Sequence, residues 1–294
     1  MIAIKELVYV LSSYLQNKEK VSADVLLPEF CKKIDDHEPF ACGKIGGFEL
    51  WAMRAAEFGY ASQYEAVYEK LCNNAGFFSD NNDIGANLQA FSKVMKDALS
   101  GMDYLTRWEY DKEEYFVKKY GNRSLKDIDW LGVRYQEQPF GQVLKGRKVL
   151  AITPFADLAK SQYEKRGLIY EDKYLPEFEL ITYKAVQTIA GNTDPRFKNW
   201  FEALEQMKSD VEKLDFDIAL VGCGAYSLPL CAAIKKSGRS AIHLGGDLQL
   251  IFGIMGKRWE DHHFISKVKN EHWVYPGASD IPQNANTVED GCYW

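Results

Sequence analysis

Three stretches of this chain place glycine between an apolar run and a helical pattern, and each holds polar residues able to do chemistry. Residues 44–50 read Lys44, Ile45, Gly46, Gly47, Phe48, Glu49, Leu50. Residues 217–230 pass from Asp217 through an apolar run to Gly222, Cys223 and Gly224, then Tyr226, Ser227 and Pro229. Residues 240–249 lead to His243, Gly245, Gly246 and Asp247. A strand feeding glycine and then a helix start turns backbone N–H groups outward, the geometry of a phosphate or nucleotide cradle in a parallel α/β sheet. Two such turns in series in the last third of the chain point to a nucleotide-linked substrate.

Gly222, Gly224 and Ser227 nearly match a dinucleotide fingerprint, with serine in place of the third glycine. Only 72 residues follow Gly222, too few for a full dinucleotide domain, and His243 stands where an acidic ribose ligand would close the next strand. A dehydrogenase is therefore disfavoured. The turn still suits one phosphate or one nucleotide, or its glycines serve only close strand–helix packing. His243 at a strand end can bind a phosphate oxygen or move a proton near neutral pH, or it is a buried structural imidazole. Asp247 caps the next helix or reaches the site. Pro154 and Phe155 end another apolar run, and Lys160, one turn further, is either a counter-charge for a diphosphate or a solvated helix lysine. His262 and His263 are adjacent, diverge on a helix or a strand alike, make a poor metal chelate and are expected at the surface.

Regular elements must position these residues. Helices are predicted over 3–17, 48–58, 63–72, 83–99, 156–166 and 197–214, and strands over 40–46, 103–108, 148–155, 178–182, 218–221 and 241–244. Alternating strands and helices predict an α/β, Rossmann-like, doubly wound and mostly parallel sheet after a helical N-terminal region, 1–39. The ligand end would be the carboxyl ends of the strands, where Pro154, Gly222 and residues 243–246 fall together. The whole chain, 1–294, reads as one domain. Residues 109–136 form a charged surface excursion, and the aromatic end of 274–294 is expected to strap back onto the domain.

Composition narrows the function. A net charge of −6 without a basic block argues against a nucleic-acid partner. The uncharged stretch 218–234 contains Gly222, Gly224 and Pro229, so it reads as strand plus helix start rather than a membrane span. Six cysteines without a C-x-x-C pair fit free thiols in a reducing cytoplasm. Tyr226, Trp51 and Trp259 are candidates to stack on a sugar or base.

Lys44, Gly46, Gly47, Phe48 and Glu49 carry a family resemblance. The chain resembles the GT-D-type glycosyltransferases of bacterial surface-glycan and glycoprotein assembly, whose signature is Arg-x-Gly-Asp-Gly-Glu after an early strand. Lys44 takes the arginine's place, Gly46 the glycine's and Glu49 the glutamate's, while Gly47 replaces the aspartate and Phe48 the second glycine. The runs 149–155 and 217–224 are similar to the later half of that fold. The resemblance implies a nucleotide-sugar donor, UDP-linked in the first instance, a glycan or lipid-linked acceptor, and Mn or Mg as the divalent metal. It also implies a catalytic role for Glu49, as base or metal carboxylate, beside which His243 is the second catalytic candidate from its place at a strand end. Lys44, Gly46, Gly47, Pro154, Phe155, Lys160, Gly222, Gly224, Tyr226, Gly245, Gly246 and Asp247 would hold substrate. Two other readings stand beside it: a non-catalytic nucleotide- or sugar-binding protein on a degenerate scaffold, and a Rossmann-like methyltransferase using S-adenosylmethionine.

Overall fold

A computed structural model describes residues 20–128 and 140–294. Seven parallel strands form one sheet: β1 (Ala41–Lys44), β2 (Tyr104–Thr106), β3 (Lys126–Ile128), β4 (Lys148–Thr153), β5 (Glu179–Lys184), β6 (Ile218–Val221) and β7 (Ser240–His243). Their spatial order is β3-β2-β1-β7-β6-β4-β5. The central strands are buried on both sides, which is why β4 and β6 read as unbroken apolar runs rather than alternating ones. The predicted helix over 3–17 lies outside the described residues.

The two faces of the sheet are covered by different helices. Ala41, Leu105, Leu150, Ile152, Ala219, Val221 and Ala241 point into one core with α2 (Gly47–Phe58), α3 (Tyr64–Ala75), α4 (Ile84–Ser100), α5 (Glu113–Tyr120), α8 (Trp200–Glu212) and α9 (Ser227–Lys236). Cys42, Tyr104, Val149, Ala151, Ile218, Leu220 and Ile242 point into the other, with α1 (Ala23–Asp35), α6 (Ala156–Tyr163), α7 (Arg166–Ile169), α10 (Asp247–Ile251) and α11 (Ile265–Val268). This alternation sets where the chain diverges. β1 sends α2 to the first face, its neighbour β7 sends α10 to the second, and β6 sends α9 back to the first. Adjacent strands whose outgoing turns part in this way open a crevice at their carboxyl ends.

Within the charged stretch 109–136 the described residues form α5 and the edge strand β3, so this part of the chain belongs to the sheet rather than leaving it. Two of its carboxylates turn inward, Glu114 and Asp127 (2.8 Å), which both pair with Arg107, while Glu109, Asp111, Lys118, Lys119, Arg123 and Lys126 are exposed. Among the described residues no helix is long and apolar enough to cross a membrane, and 218–234 is β6 followed by α9. None of the six cysteines is in a disulfide.

One buried carboxylate fixes α2, the helix that follows the Lys44 turn. Glu57, with its side chain 8% exposed, accepts hydrogen bonds from Lys119 (2.6 Å), Tyr115 (2.6 Å) and Tyr120 (2.9 Å) of α5, and from Lys96 of α4 (2.8 Å). Burial alone would raise its carboxyl, but the hydrogen bonds from Lys119 and Lys96 hold it well below the usual range. Glu57→Gln is expected to lower the unfolding free energy by about 2 kcal/mol at pH 7, because it leaves two lysines without their shared counter-charge. A group whose carboxyl is depressed in the fold contributes above its unfolded value and loses that contribution as pH falls. The difference in Tm between wild type and variant should therefore shrink as pH drops below about 4.3. Thermal melts across that range check both statements.

Candidate functional site

The crevice is a cavity of about 860 Å³ at the carboxyl ends of β1, β4, β6 and β7. Around it lie Lys44, Gly46, Gly47 and Glu49 from the first glycine turn, Pro154 and Phe155 after β4, Gly222, Gly224 and Tyr226 after β6, and His243, Gly245, Gly246 and Asp247 after β7. That volume accommodates a small organic ligand. The expected residues thus converge from positions up to two hundred apart, with one exception. Lys160 stands outside the cavity, because α6 buries Ala156, Ala159 and Gln162 and turns Lys160 to solvent. His262 and His263 also lie off the cleft, the first half-buried and the second exposed.

Of the two readings open for the later glycine turns, cradle or close packing, the contacts of Gly222, Gly224 and Gly245 are those of packing. The Gly222 amide donates to the Ile152 carbonyl (2.9 Å) and extends the sheet ladder, while the Gly245 amide shares the Val221 carbonyl (3.2 Å) with the ladder bond from Leu244, so both are used within the sheet. A β-carbon at Gly222 would collide with the Gly245 carbonyl oxygen, so the two turns touch backbone to backbone. Gly224 has φ +60°, and a β-carbon there would stand 2.7 Å from the Ala75 carbonyl oxygen. Close packing is what these glycines provide.

The charged centre belongs to the Lys44 turn. Glu49 sits in the first turn of α2 and folds back so that its carboxylate fills the space a side chain at Gly46 would need. Burial raises its carboxyl, and its own backbone amide and the Lys44 charge oppose the rise. Lys44 reaches across from β1, and its Nζ donates to the Leu244 carbonyl (3.1 Å) and lies 5.3 Å from the Trp108 ring centre. The bare Cα of Gly245 leaves room for that ammonium, which would lie 3.0 Å from a β-carbon there. His243 is buried beside it. Burial pushes the imidazole well below its ordinary value, the Lys44 charge pushes the same way, and a hydrogen bond with the Lys44 backbone opposes both. The ring is therefore neutral near pH 7, and its buried Nδ1 has no hydrogen-bond partner. A buried polar atom left open at a cavity wall suits a ligand hydroxyl. Asp247 is the first residue of α10 and is buried at the cavity wall; Gly246 takes the cap position expected for it.

Two of the three expected stacking rings are already used. Tyr226 is stacked on Trp200 (5.1 Å between ring centres) and its hydroxyl lies 3.2 Å from Thr188 Oγ1, while Trp259 is buried against Tyr293. Trp51 remains partly exposed on the wall, its indole N–H on Gln63. Phe155 is buried in the core under the cleft. Residues not anticipated from the sequence complete the walls: Arg54 with its partner Asp111 (2.5 Å), Trp108, and the half-exposed Tyr110. Opposite them, Arg258, Glu289, Tyr293 and Trp294 bring the segment 274–294 back onto the cleft. Gln249 donates to the Tyr293 carbonyl (3.1 Å) and the Arg258 amide to that of Cys292 (2.9 Å). The aromatic pair at the end of the sequence was the one available signal for this wall.

Among the described residues, no three His, Cys, Asp or Glu side chains come together as a metal-ligand group. Gly47, where the family signature has its aspartate, faces the Tyr110 ring, which a β-carbon there would meet at 3.4 Å. The residues present do not fit the divalent ion that the resemblance implies.

A parallel, doubly wound sheet with its cleft at a strand switch point defines a Rossmann-like α/β protein. Residues 128–251 match the family model described as a GT-D fold-like domain. Among solved structures, the selenomethionine-substituted structure of domain of unknown function 1792 is similar at 12% identity over 78% of each chain, with a TM-score of 0.38. No curated protein matches the chain.

The raised carboxyl of Glu49 has a consequence for stability. A carboxyl raised in the fold is stabilising while protonated, and that contribution is lost as pH climbs from its unfolded value, about 4.3, through its folded one. Glu49→Gln should therefore melt above wild type at pH 8, by roughly 2–4 °C for each kcal/mol relieved. The gap should close towards pH 4, as paired melts would show.

Proposed function

We propose that this protein is a glycosyltransferase that moves a sugar from a nucleotide-diphosphate donor, in the first instance a UDP-sugar, to a hydroxyl of a glycan or lipid-linked acceptor in surface-polysaccharide or glycoprotein assembly. The observation that carries this reading is the convergence of Glu49, Lys44 and the unpartnered His243 Nδ1 in one buried corner of a ligand-sized cleft. The match of residues 128–251 to a GT-D fold-like domain supports it.

In this reading the ionised Glu49 takes the proton of the acceptor hydroxyl as the new bond forms at the anomeric carbon. The bond from that carbon to the phosphate oxygen breaks, and the nucleoside diphosphate leaves with the negative charge. Lys44, fixed on the Leu244 carbonyl, and the amide end of α2 stabilise that charge as it builds. The neutral His243 offers Nδ1 to a sugar or acceptor hydroxyl rather than to a phosphate oxygen, because burial and Lys44 keep a second proton off the ring. Burial also excludes water that would hydrolyse the donor. With Gly47 in place of the aspartate, the charge is balanced by the chain's own cations and not by a metal.

A panel of UDP-, GDP- and dTDP-sugars tests this. One donor should raise Tm and turn over, with a rate that rises with pH as Glu49 ionises and is unchanged by EDTA. Glu49→Gln should lower kcat by roughly 100-fold or more with donor binding kept. Failure of every nucleotide sugar to bind or react would sink the transferase reading, and loss of turnover with EDTA would sink its metal-free form. Gly47 also favours a second reading, a nucleotide- or sugar-binding protein without activity; UDP binding with no turnover of any donor would select it.

A further inference from the structure

We propose that Arg258 is an anion-binding residue of the cleft and that Glu289 occupies its guanidinium as a stand-in for the phosphate of an incoming ligand. This rests on the donor being a nucleotide diphosphate, but it concerns a different wall of the cavity from Glu49 and His243. Arg258 follows Lys257 in the turn before Trp259, and its guanidinium carbon lies 4.6 Å from the centre of the Tyr293 ring. Nη1 donates to the Tyr293 hydroxyl (3.1 Å) and Nη2 to the Glu289 carboxylate. A guanidinium fixed by an aromatic ring and turned to a cavity is pre-organised for an oxyanion, which it grips through parallel N–H donors.

The occupant of that grip is easily displaced. Glu289 is half-exposed, with 46% of its side chain open, and lines the cavity itself. Its backbone is left-handed (φ 45°), as are Asp290 (φ 56°) and Gly291 (φ 78°), so two residues with β-carbons hold a conformation that favours glycine. Strain of this kind gathers in segments that change conformation. Of the other cations on the wall, Lys44 is anchored on the Leu244 carbonyl, and Arg54 carries a carboxylate partner of its own, Asp111 (2.5 Å).

Arg258 also faces the space where the chemistry is proposed. The Tyr110 phenol, which stands over Gly47, is acted on by the charges of Glu113, Glu49, Glu289 and Arg258 together, so Glu49 and the Arg258–Glu289 pair address one volume. A diphosphate that reached from Lys44 to Arg258 would replace Glu289 on the guanidinium and release segment 288–291 from it. The cleft would then carry a carboxylate that an entering anion must displace, lowering apparent affinity by the fraction of molecules in which it is bound.

Calorimetric titration of inorganic pyrophosphate, and separately of UDP, into wild type, Glu289→Gln and Arg258→Gln tests this. Glu289→Gln should bind pyrophosphate roughly tenfold more tightly than wild type, and Arg258→Gln roughly tenfold more weakly, the scale of one charge-assisted hydrogen bond. Pyrophosphate affinity unchanged or weakened in Glu289→Gln overturns the proposal, even where Arg258→Gln is too unstable to read. The expected pyrophosphate pattern with no UDP binding and no sugar turnover supports the anion site and overturns the transferase reading instead. Turnover of a UDP-sugar with equal pyrophosphate affinity in wild type and Glu289→Gln does the reverse.

Discussion

The turns after β6 and β7 touch through bare backbone, and the cleft depends on that contact. Gly222 has no side chain, so the Gly245 carbonyl can occupy the place where its β-carbon would be. The approach lets the Gly222 amide complete the sheet ladder at its carboxyl edge and the Gly245 amide join Leu244 on the Val221 carbonyl. It also brings the Leu244 carbonyl to where the Lys44 ammonium, crossing from β1, can bond to it. From there the geometry is forced. α2 leaves on one face and α10 on the other, and the space between them is walled by whatever packs against those two helices.

The electrostatics of that space follow from burial. A carboxylate, an imidazole and an ammonium share a corner largely removed from water, where each charged form is expensive unless another offsets it. Lys44 serves both neighbours: it favours the ionised Glu49 and keeps His243 neutral. The result is a carboxyl group and an uncharged imidazole that both feel one ammonium at the cavity wall. Further out, Arg258 and Arg54 carry carboxylate partners of their own. Glu57 keeps this corner in place from behind, by tying α2 to α4 and α5.

Much of this was legible in the sequence. Periodicity located α2, α4, α8 and the strands β1, β4 and β6 to within a few residues, because each has a continuous apolar face or run. The strand–glycine–helix pattern pointed to the carboxyl ends of the strands, His243 was singled out from its place at one of them, and Glu49 from the resemblance to the GT-D signature. Other features were not legible for a physical reason. Whether a glycine amide faces a ligand or closes a ladder depends on the strand beside it, as Ile152 does for Gly222. Whether an aromatic ring is a platform or core depends on its neighbours, and Trp200 takes Tyr226. Lys160 looked available because helix phase relative to a cleft is a property of docking, not of spacing.

The sequence by itself determined the class of fold, the three glycine turns and the candidacy of His243, because these follow from local period and from residue type, while Glu49 was marked by its match to a family signature. Tertiary structure alone decided the strand order, which sets β1 against β7, and with it the meeting of Lys44, Glu49 and His243. It also decided that Arg258 and the segment ending in Tyr293 and Trp294 form the far wall. Those outcomes depend on which surfaces bury which others across long separations, and no local pattern of residues encodes that choice.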